Sequence, residues 1–173
     1  DRRRGVRRIA PDRQRRAGKD GKPFTMLKFR TMDTDAEERL AELVDLENLT
    51  EPAFKIADDP RVTRVGRLLR RTSLDELPQL INVLKGEMSL VGPRPERPEF
   101  VEQFRREIPG YMQKHLVKAG ITGWAQVNGL RGDSDLARRI QYDLYYIEHW
   151  SLWFDLRILV LTLWHILTSR NAH

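Results

Sequence analysis

The sequence predicts an α/β domain, mostly helical, with one small β-hairpin. Three observations lead there. Gly18-Lys-Asp-Gly21 is a turn sequence, and Phe24 to Phe29, with its Thr, Met and Leu, reads as a short strand closing a hairpin. Several later stretches carry apolar residues at helical spacing, separated by proline and glycine breaks. At 173 residues the chain is long enough for one domain with a real core and too short for two, so residues 1–173 are read as a single domain.

Element by element, the chain opens on the basic run DRRRGVRRIAPDRQRRAGKDGK. Residues 1–20 are expected to be a basic arm, with its first ten residues disordered. After the hairpin, Asp33-Thr34-Asp35 caps a helix expected over residues 36 to 48, where Leu40, Leu43, Val44 and Leu46 lie mainly on one side. Residues 50 to 60 form a loop, bounded by Pro52 and Asp59-Pro60, and a short basic helix is expected around residues 62 to 71. Ser73 and Glu76 have the S-x-x-E spacing of a capping box, Leu77, Leu80, Ile81 and Leu84 follow at helical intervals, and Gly86 stops the helix.

Gly92-Pro93-Arg94-Pro95 presents Arg94 from an inflexible loop, because two prolines fix φ and exclude helix. A helix over residues 96 to 107 ends at Pro109-Gly110, glycines 120, 123, 129 and 132 punctuate a loop region, and residues 136 to 149 are helical again. The last helix, from about residue 150 to 167, holds Trp150, Trp153 and Trp164, and its ILVLTLWHIL segment is apolar on nearly every side. It is either a core helix or one lying in a membrane interface with tryptophans at headgroup depth. The composition fits the second better.

Net charge is +6, which points to an anionic partner: nucleic acid, an anionic membrane or a phosphorylated substrate. The arginine-rich start lacks the interleaved aromatics of a single-strand binder and the turn of a helix-turn-helix. Membrane surface therefore ranks first for it, and no nucleic acid is expected. With no cysteine there are no disulfides, thiolate metal sites or cysteine nucleophiles, and His115, His149, His165 and His173 are scattered without ligand spacing. No stretch of about 20 apolar residues is present, so no transmembrane span is expected in this chain.

The chemical centre is Asp75-Glu76, two adjacent acids at a helix start with arginines on both sides. Unpaired backbone N–H groups of a first turn favour an ionised carboxylate and can hold a phosphate oxygen. An ionised acid, a metal and phosphate-holding arginines in one place would serve phosphoryl transfer. A capped surface helix with first-turn acids has the same local sequence and is common in any protein, so the motif alone favours that reading.

Five blocks resemble, in order, those of the bacterial sugar transferases, the polyprenyl-phosphate phosphoglycosyl transferases. They are KPFTMLKFRTM (residues 22 to 32), PAFKIADDPRVTRVGRLLRRTSLDELPQL (52 to 80), MSLVGPRP (88 to 95), GITGWAQVNGLRG (120 to 132) and YDLYYIEHWSLWFDL (142 to 156). GITGWAQVNGLRG is most similar to the branch that transfers hexose 1-phosphates, glucose or galactose, in exopolysaccharide synthesis. Lys118-Ala119-Gly120 departs from the Lys-Pro-Gly usual in that family.

The resemblance implies a membrane-interface catalytic domain on the cytoplasmic face of the bacterial inner membrane, without the hydrophobic anchor that family members carry before the basic patch. It implies transfer of a hexose 1-phosphate from a uridine diphosphate sugar to polyprenyl (undecaprenyl) phosphate, with release of uridine monophosphate. Asp75 would be the nucleophile, forming an aspartyl-phosphosugar intermediate. Mg2+ would bridge the acids Asp75 and Glu76 to the diphosphate, and Glu76 would hold the metal or assist the incoming lipid phosphate. Arg70 and Arg94 are the expected phosphate-binding arginines, joined by Lys28 and Arg30, which share one face of a strand, and by Arg131. An oligomer is compatible with this picture. The rival reading is a non-catalytic basic module for anionic surfaces or nucleic acid, which leaves Asp75-Glu76 and Gly-Pro-Arg-Pro unexplained.

Overall fold

The computed structural model describes residues 11–36, 38–39, 56, 59–130 and 135–168. Strands β1 (Pro11–Ala17) and β2 (Pro23–Phe29) form the expected antiparallel hairpin, with Pro11 opposite Phe29 and Ala17 opposite Pro23. The turn is a single 3-10 turn over Lys19–Gly21. β1 corrects one expectation, because residues 11–17 were read as part of the basic arm. Its arginines Arg13 and Arg15 point to solvent while the other face is half-buried, and cross-strand pairing orders a segment whose composition does not announce a strand. The first ten residues, the greater part of the helix expected over 36–48, and most of 50–60 lie outside the described residues.

Helix α1 (Arg64–Arg71) is capped by Thr63, whose hydroxyl accepts from the Gly66 amide at 2.9 Å. Gly66 packs on the backbone of Thr31, so closely that a Cβ there would sit 2.0 Å from the Thr31 carbonyl oxygen. The next segment departs from the expected capping box. Ser73 adopts left-handed φ of 56° and its side chain caps nothing; Leu74–Glu76 is a 3-10 turn, and helix α2 runs only over Gln79–Leu84 before Gly86. A left-handed Ser73 cannot hold the extended conformation that a capping residue needs.

α2 is also turned inside out relative to its pattern. Leu77, Leu80, Ile81 and Leu84 are exposed, Leu84 at 88%, and the buried positions are the polar Gln79 and Asn82. Asn82 accounts for this orientation. Its Oδ1 accepts from the Leu27 amide at 3.1 Å, and its Nδ2 donates to the Thr25 carbonyl at 2.7 Å and to Glu87 Oε2 at 2.7 Å. The helix is thus held to β2 by hydrogen bonds rather than by its leucines.

A second sheet was not foreseen. β3 (Ser89–Val91) pairs in parallel with β4 (Gly120–Thr122), and part of the expected glycine loop is this strand followed by a short helix α4 (Trp124–Val127). Gly120 serves close approach here: a Cβ at this position would lie 2.1 Å from the Gly92 nitrogen. Three-residue strands carry too little alternation to show in a sequence. Between them lie α3 (Pro98–Glu107) and a 3-10 segment, Tyr111–Leu116.

Helices α5 (Leu136–Glu148) and α6 (Leu152–Thr168) complete the domain, the first capped by Asp135, which accepts from the Ala137 amide at 2.9 Å. α5 joins two apolar clusters, through Ile140 to Phe104 and Tyr111 and through Tyr146 to Val91, Val127 and Ile158. α6 is partly a core helix after all. Ile158 is fully buried and Phe154, Leu159 and Leu161 pack beside it, yet Trp153, Val160, Leu163, Trp164 and Leu167 are exposed. Two of its charged residues have partners. Asp155 accepts from Tyr146 Oη at 2.8 Å and Trp150 Nε1 at 3.2 Å, and Arg157 lies 5.5 Å from the Trp124 ring centroid. Among the described residues no helix is long and apolar enough to cross a membrane.

Gly66→Ala should be strongly destabilising, because backbone rather than a flexible side chain blocks the new methyl. A loss of about 3 kcal/mol, the upper end of over-packing costs, is expected in urea unfolding. A variant as stable as the parent would disprove the close α1–Thr31 contact.

Candidate active site

Three segments distant in sequence meet at Glu76. Lys28 Nζ, from β2, donates to Glu76 Oε1 at 2.8 Å, and Arg94 Nη2, from the Gly-Pro-Arg-Pro loop, donates to the same oxygen at 3.1 Å. Lys28 Nζ also stands 3.9 Å from Asp75 Oδ2. Successive helical side chains diverge by about 100°, so a regular first turn would separate the two acids. The left-handed Ser73 and the 3-10 turn after it supply the irregularity that lets both approach one ammonium group. Positive φ at a non-glycine residue is costly backbone, of the kind that clusters at functional sites.

The two neighbouring carboxylates are shifted in opposite directions. Burial raises the Asp75 value above the ordinary carboxylate range; Lys28 opposes this rise and Glu76 reinforces it. Burial works against ionisation of Glu76 too, but Arg94 and Lys28 outweigh it and bring that group to about 2. Glu76 is therefore held as an anion, with its Oε1 paired to two cations. Asp75 is the less compensated carboxylate, raised by burial where Glu76 is lowered by its two cations.

Of the other expected residues, Arg70 lies close enough to lower the Asp75 value, with its Nε donating to Thr31 Oγ1 at 2.9 Å. β2 ends at Phe29, and Arg30, beyond the last paired residue, is exposed and makes no ion pair with either acid among the described residues. Arg131 lies outside the described residues.

Among the described residues no cluster of three or more potential metal ligands exists. The donor chemistry at the dyad is two hard carboxylates on one short turn, which suits a magnesium ion completed by substrate phosphate oxygens and water rather than a protein cage.

Several site-building residues have no signal at the level of motifs. Asn82 sits in a leucine-rich helical pattern and reads as an exposed polar position, yet it fixes β2 and with it Lys28. Thr31 is likewise invisible until Arg70 folds over it. A buried ion cluster of Glu96, Lys114, Arg139 and Asp143 stands behind the Arg94 loop. Arg139 and Asp143, opposite charges four apart on one helix, were its only trace in the sequence.

The charge states have opposite consequences for stability. A carboxyl whose folded value is raised is harder to ionise in the folded protein, so its destabilising effect grows as pH rises through that range. Asp75→Asn should therefore raise the melting temperature near neutral pH by on the order of a few °C, with the gain vanishing in acid where Asp75 is protonated in both states. Glu76 has a depressed value, so its contribution is present above the ordinary carboxylate range and is lost as pH falls toward 2; Glu76→Gln should lower the melting temperature at neutral pH. Melting curves at pH 3 and 7 test both signs, and a destabilised Asp75→Asn at pH 7 would contradict them.

Residues 10–169 match the family described as bacterial sugar transferase. A UDP-glucose:undecaprenyl-phosphate glucose-1-phosphate transferase from Escherichia coli K12 is 48% identical over 165 residues, covering 93% of this chain and 33% of that protein. A protein of the same name from Xanthomonas campestris is 47% identical, covering 98% of this chain and 34% of its own length. A UDP-N-acetylgalactosamine-undecaprenyl-phosphate N-acetylgalactosaminephosphotransferase from Aeromonas hydrophila is 47% identical over 161 residues, 92% of this chain and 36% of its own. The chain thus spans about a third of the length of these relatives, and that third contains the Asp75-Glu76 turn and the Lys28 and Arg94 that converge on it. By this match over nearly its whole length, the chain belongs to the bacterial sugar transferase family.

Proposed function

We propose that this domain transfers a hexose 1-phosphate from a uridine diphosphate sugar to undecaprenyl phosphate, releasing uridine monophosphate, in two steps through Asp75. The observation that carries this reading is the unequal acid pair: Glu76 neutralised by Lys28 and Arg94, Asp75 beside them with little compensation. Support for the donor and acceptor comes from relatives whose names specify a UDP-sugar and undecaprenyl phosphate.

In the first step an Asp75 carboxylate oxygen attacks the phosphorus that carries the sugar. The bond from that phosphorus to the bridging oxygen breaks, and uridine monophosphate leaves with the electron pair. In the second step an oxygen of the lipid phosphate attacks the same phosphorus, the bond to Asp75 breaks, and the carboxylate is restored. Lys28 and Arg94 bring fixed positive charge to where the diphosphate oxygens must lie, with Arg94 offering its fork from a stiff loop. Glu76 holds both cations in place. Asp75 and Glu76 would hold Mg2+, which supplies charge neutralisation between carboxylate and diphosphate when bound.

The acceptor is a lipid, and the exposed apolar residues provide a surface for it. Leu77, Leu80, Ile81 and Leu84 follow directly after the acids, and α6 exposes Trp153, Trp164 and several leucines. We read these as the face that rests on the cytoplasmic side of the inner membrane, with the basic start on anionic headgroups.

Two experiments test the reading. With UDP-glucose and Mg2+ but no lipid, rapid acid quench and mass spectrometry should show the mass of one hexose phosphate on the peptide containing Asp75. Asp75→Asn should abolish adduct and turnover, whereas Glu76→Gln should slow turnover while an adduct still forms. Continued release of uridine monophosphate by Asp75→Asn would favour direct, single-step transfer instead. For the membrane face, sedimentation with vesicles should show stronger binding when anionic lipid is present, weakening with salt as screening shortens to about 8 Å near 0.15 M. Replacing Trp153 and Trp164 by Ser should reduce binding at every salt concentration, and undiminished binding would remove α6 from the interface.

A further inference from the structure

Arg94 reaches Glu76 from a stretch, residues 92–97, that has no helix or strand of its own. Its prolines stiffen the loop but do not say where it points. Backbone bonds hold one end: Gly92 donates to the Thr122 carbonyl at 2.9 Å, and Gly120 donates to the Pro93 carbonyl at 2.9 Å. Glu96 holds the other end twice over. Its carbonyl accepts from the Ala17 amide of β1 at 2.8 Å. Its carboxylate Oε1 accepts from Arg139 Nη2 at 3.0 Å and Lys114 Nζ at 3.4 Å.

The carboxylate's surroundings are closed. Lys114 Nζ also faces Asp143 Oδ2 at 3.4 Å and lies 5.6 Å from the Tyr111 ring centroid, and the Lys114 and Asp143 side chains are 2% and 3% exposed. Two acids and two bases balance one another inside the protein. A buried quartet of this kind adds little net stability compared with apolar residues of the same size, while losing one member is costly. Its position suits a different purpose, since it ties the 111–116 segment and α5 to the residue two beyond Arg94.

We propose that Glu96 is a positioning residue: clamped by Lys114 and Arg139, it fixes the loop so that the Arg94 guanidinium is aimed at Glu76 and at the diphosphate beside it. The catalytic consequence rests on the transferase reading; the loop geometry does not. Glu96 touches no reacting atom and acts only through Arg94.

The test uses Glu96→Gln in this chain, alone and combined with Arg94→Lys. Amide hydrogen exchange at Ala17 should accelerate in Glu96→Gln, while exchange at Leu27, which is held by Asn82, stays as in the parent. Release of uridine monophosphate should fall by up to about a hundredfold, the size of effect that a displacement of about 1 Å produces. The same substitution made on Arg94→Lys should cost far less, because neighbours acting through one group are not additive.

Unchanged exchange at Ala17, or equal fold-losses in both backgrounds, would overturn the proposal. If the single variant fails to fold, Glu96→Gln with Arg139→Gln removes one charge of each sign and is read the same way. A parent chain that releases no uridine monophosphate from any UDP-sugar would count against the transferase reading, and the exchange at Ala17 would still decide the role of Glu96.

Discussion

The site depends on one shared carboxylate. Glu76 is the acceptor for Lys28, 48 positions earlier, and for Arg94, 18 positions later, and it unites the hairpin, the acid turn and the proline loop. Remove its charge and two half-buried cations face each other across the turn without the carboxylate that pairs them. The value of about 2 for Glu76 expresses the same fact: the folded site strongly favours its ionised form. Asp75 is left with the weaker share of the same positive charge, and the asymmetry between the two acids follows from geometry rather than residue type.

Polar groups, not leucines, assemble this part of the molecule. Asn82 docks α2 on β2, Thr31 receives Arg70, and Glu96 anchors the loop against Lys114 and Arg139. Each is buried or half-buried, and an unmatched partner would carry the full cost of desolvation. Such networks tolerate few alternative arrangements, since a shifted register leaves donors or acceptors empty. That property suits the proposed work of the site, which is to hold cations at fixed positions for phosphate. The apolar clusters around Tyr146–Ile158 and Phe104–Ile140 are joined by α5, which also carries Arg139 and Asp143 of the buried ion cluster.

The consequence of docking α2 through Asn82 is an apolar surface facing out. Leucines at helical spacing ordinarily turn inward because burial removes their apolar area from water. Here the hydrogen bonds of Asn82 set the rotation of the helix, and the leucines cover the outside next to the acid turn. α6 divides differently, with Ile158 in the core and its tryptophans outside. Exposed apolar residues on both helices are the basis for the membrane face proposed above. For a domain proposed to act on a lipid phosphate, the placement beside Asp75 is chemically coherent.

Much was legible in the residues themselves. The hairpin turn, the short basic helix, the Gly86 stop, α3 and α5 follow from local chemistry: turn residues, caps and period, each acting over a few positions. Asp75-Glu76, Lys28, Arg70 and Arg94 were identifiable because successive blocks of the chain resemble one family. The rest was not legible, for reasons that are physical. The capping box at Ser73 is a valid local pattern that tertiary contacts override, drawing the chain into a left-handed residue and a 3-10 turn. The parallel pair of β3 and β4 joins residues about thirty apart through strands too short to show alternation. Arg30 falls one residue beyond the strand that was to aim it. By itself, then, the sequence determined which side chains carry charge and which short segments coil or extend, because those depend on neighbours in the chain. Only the tertiary structure decided which charges share a partner, because a buried ion pair or hydrogen bond forms between groups that distant segments bring together, and burial then sets the strength of each.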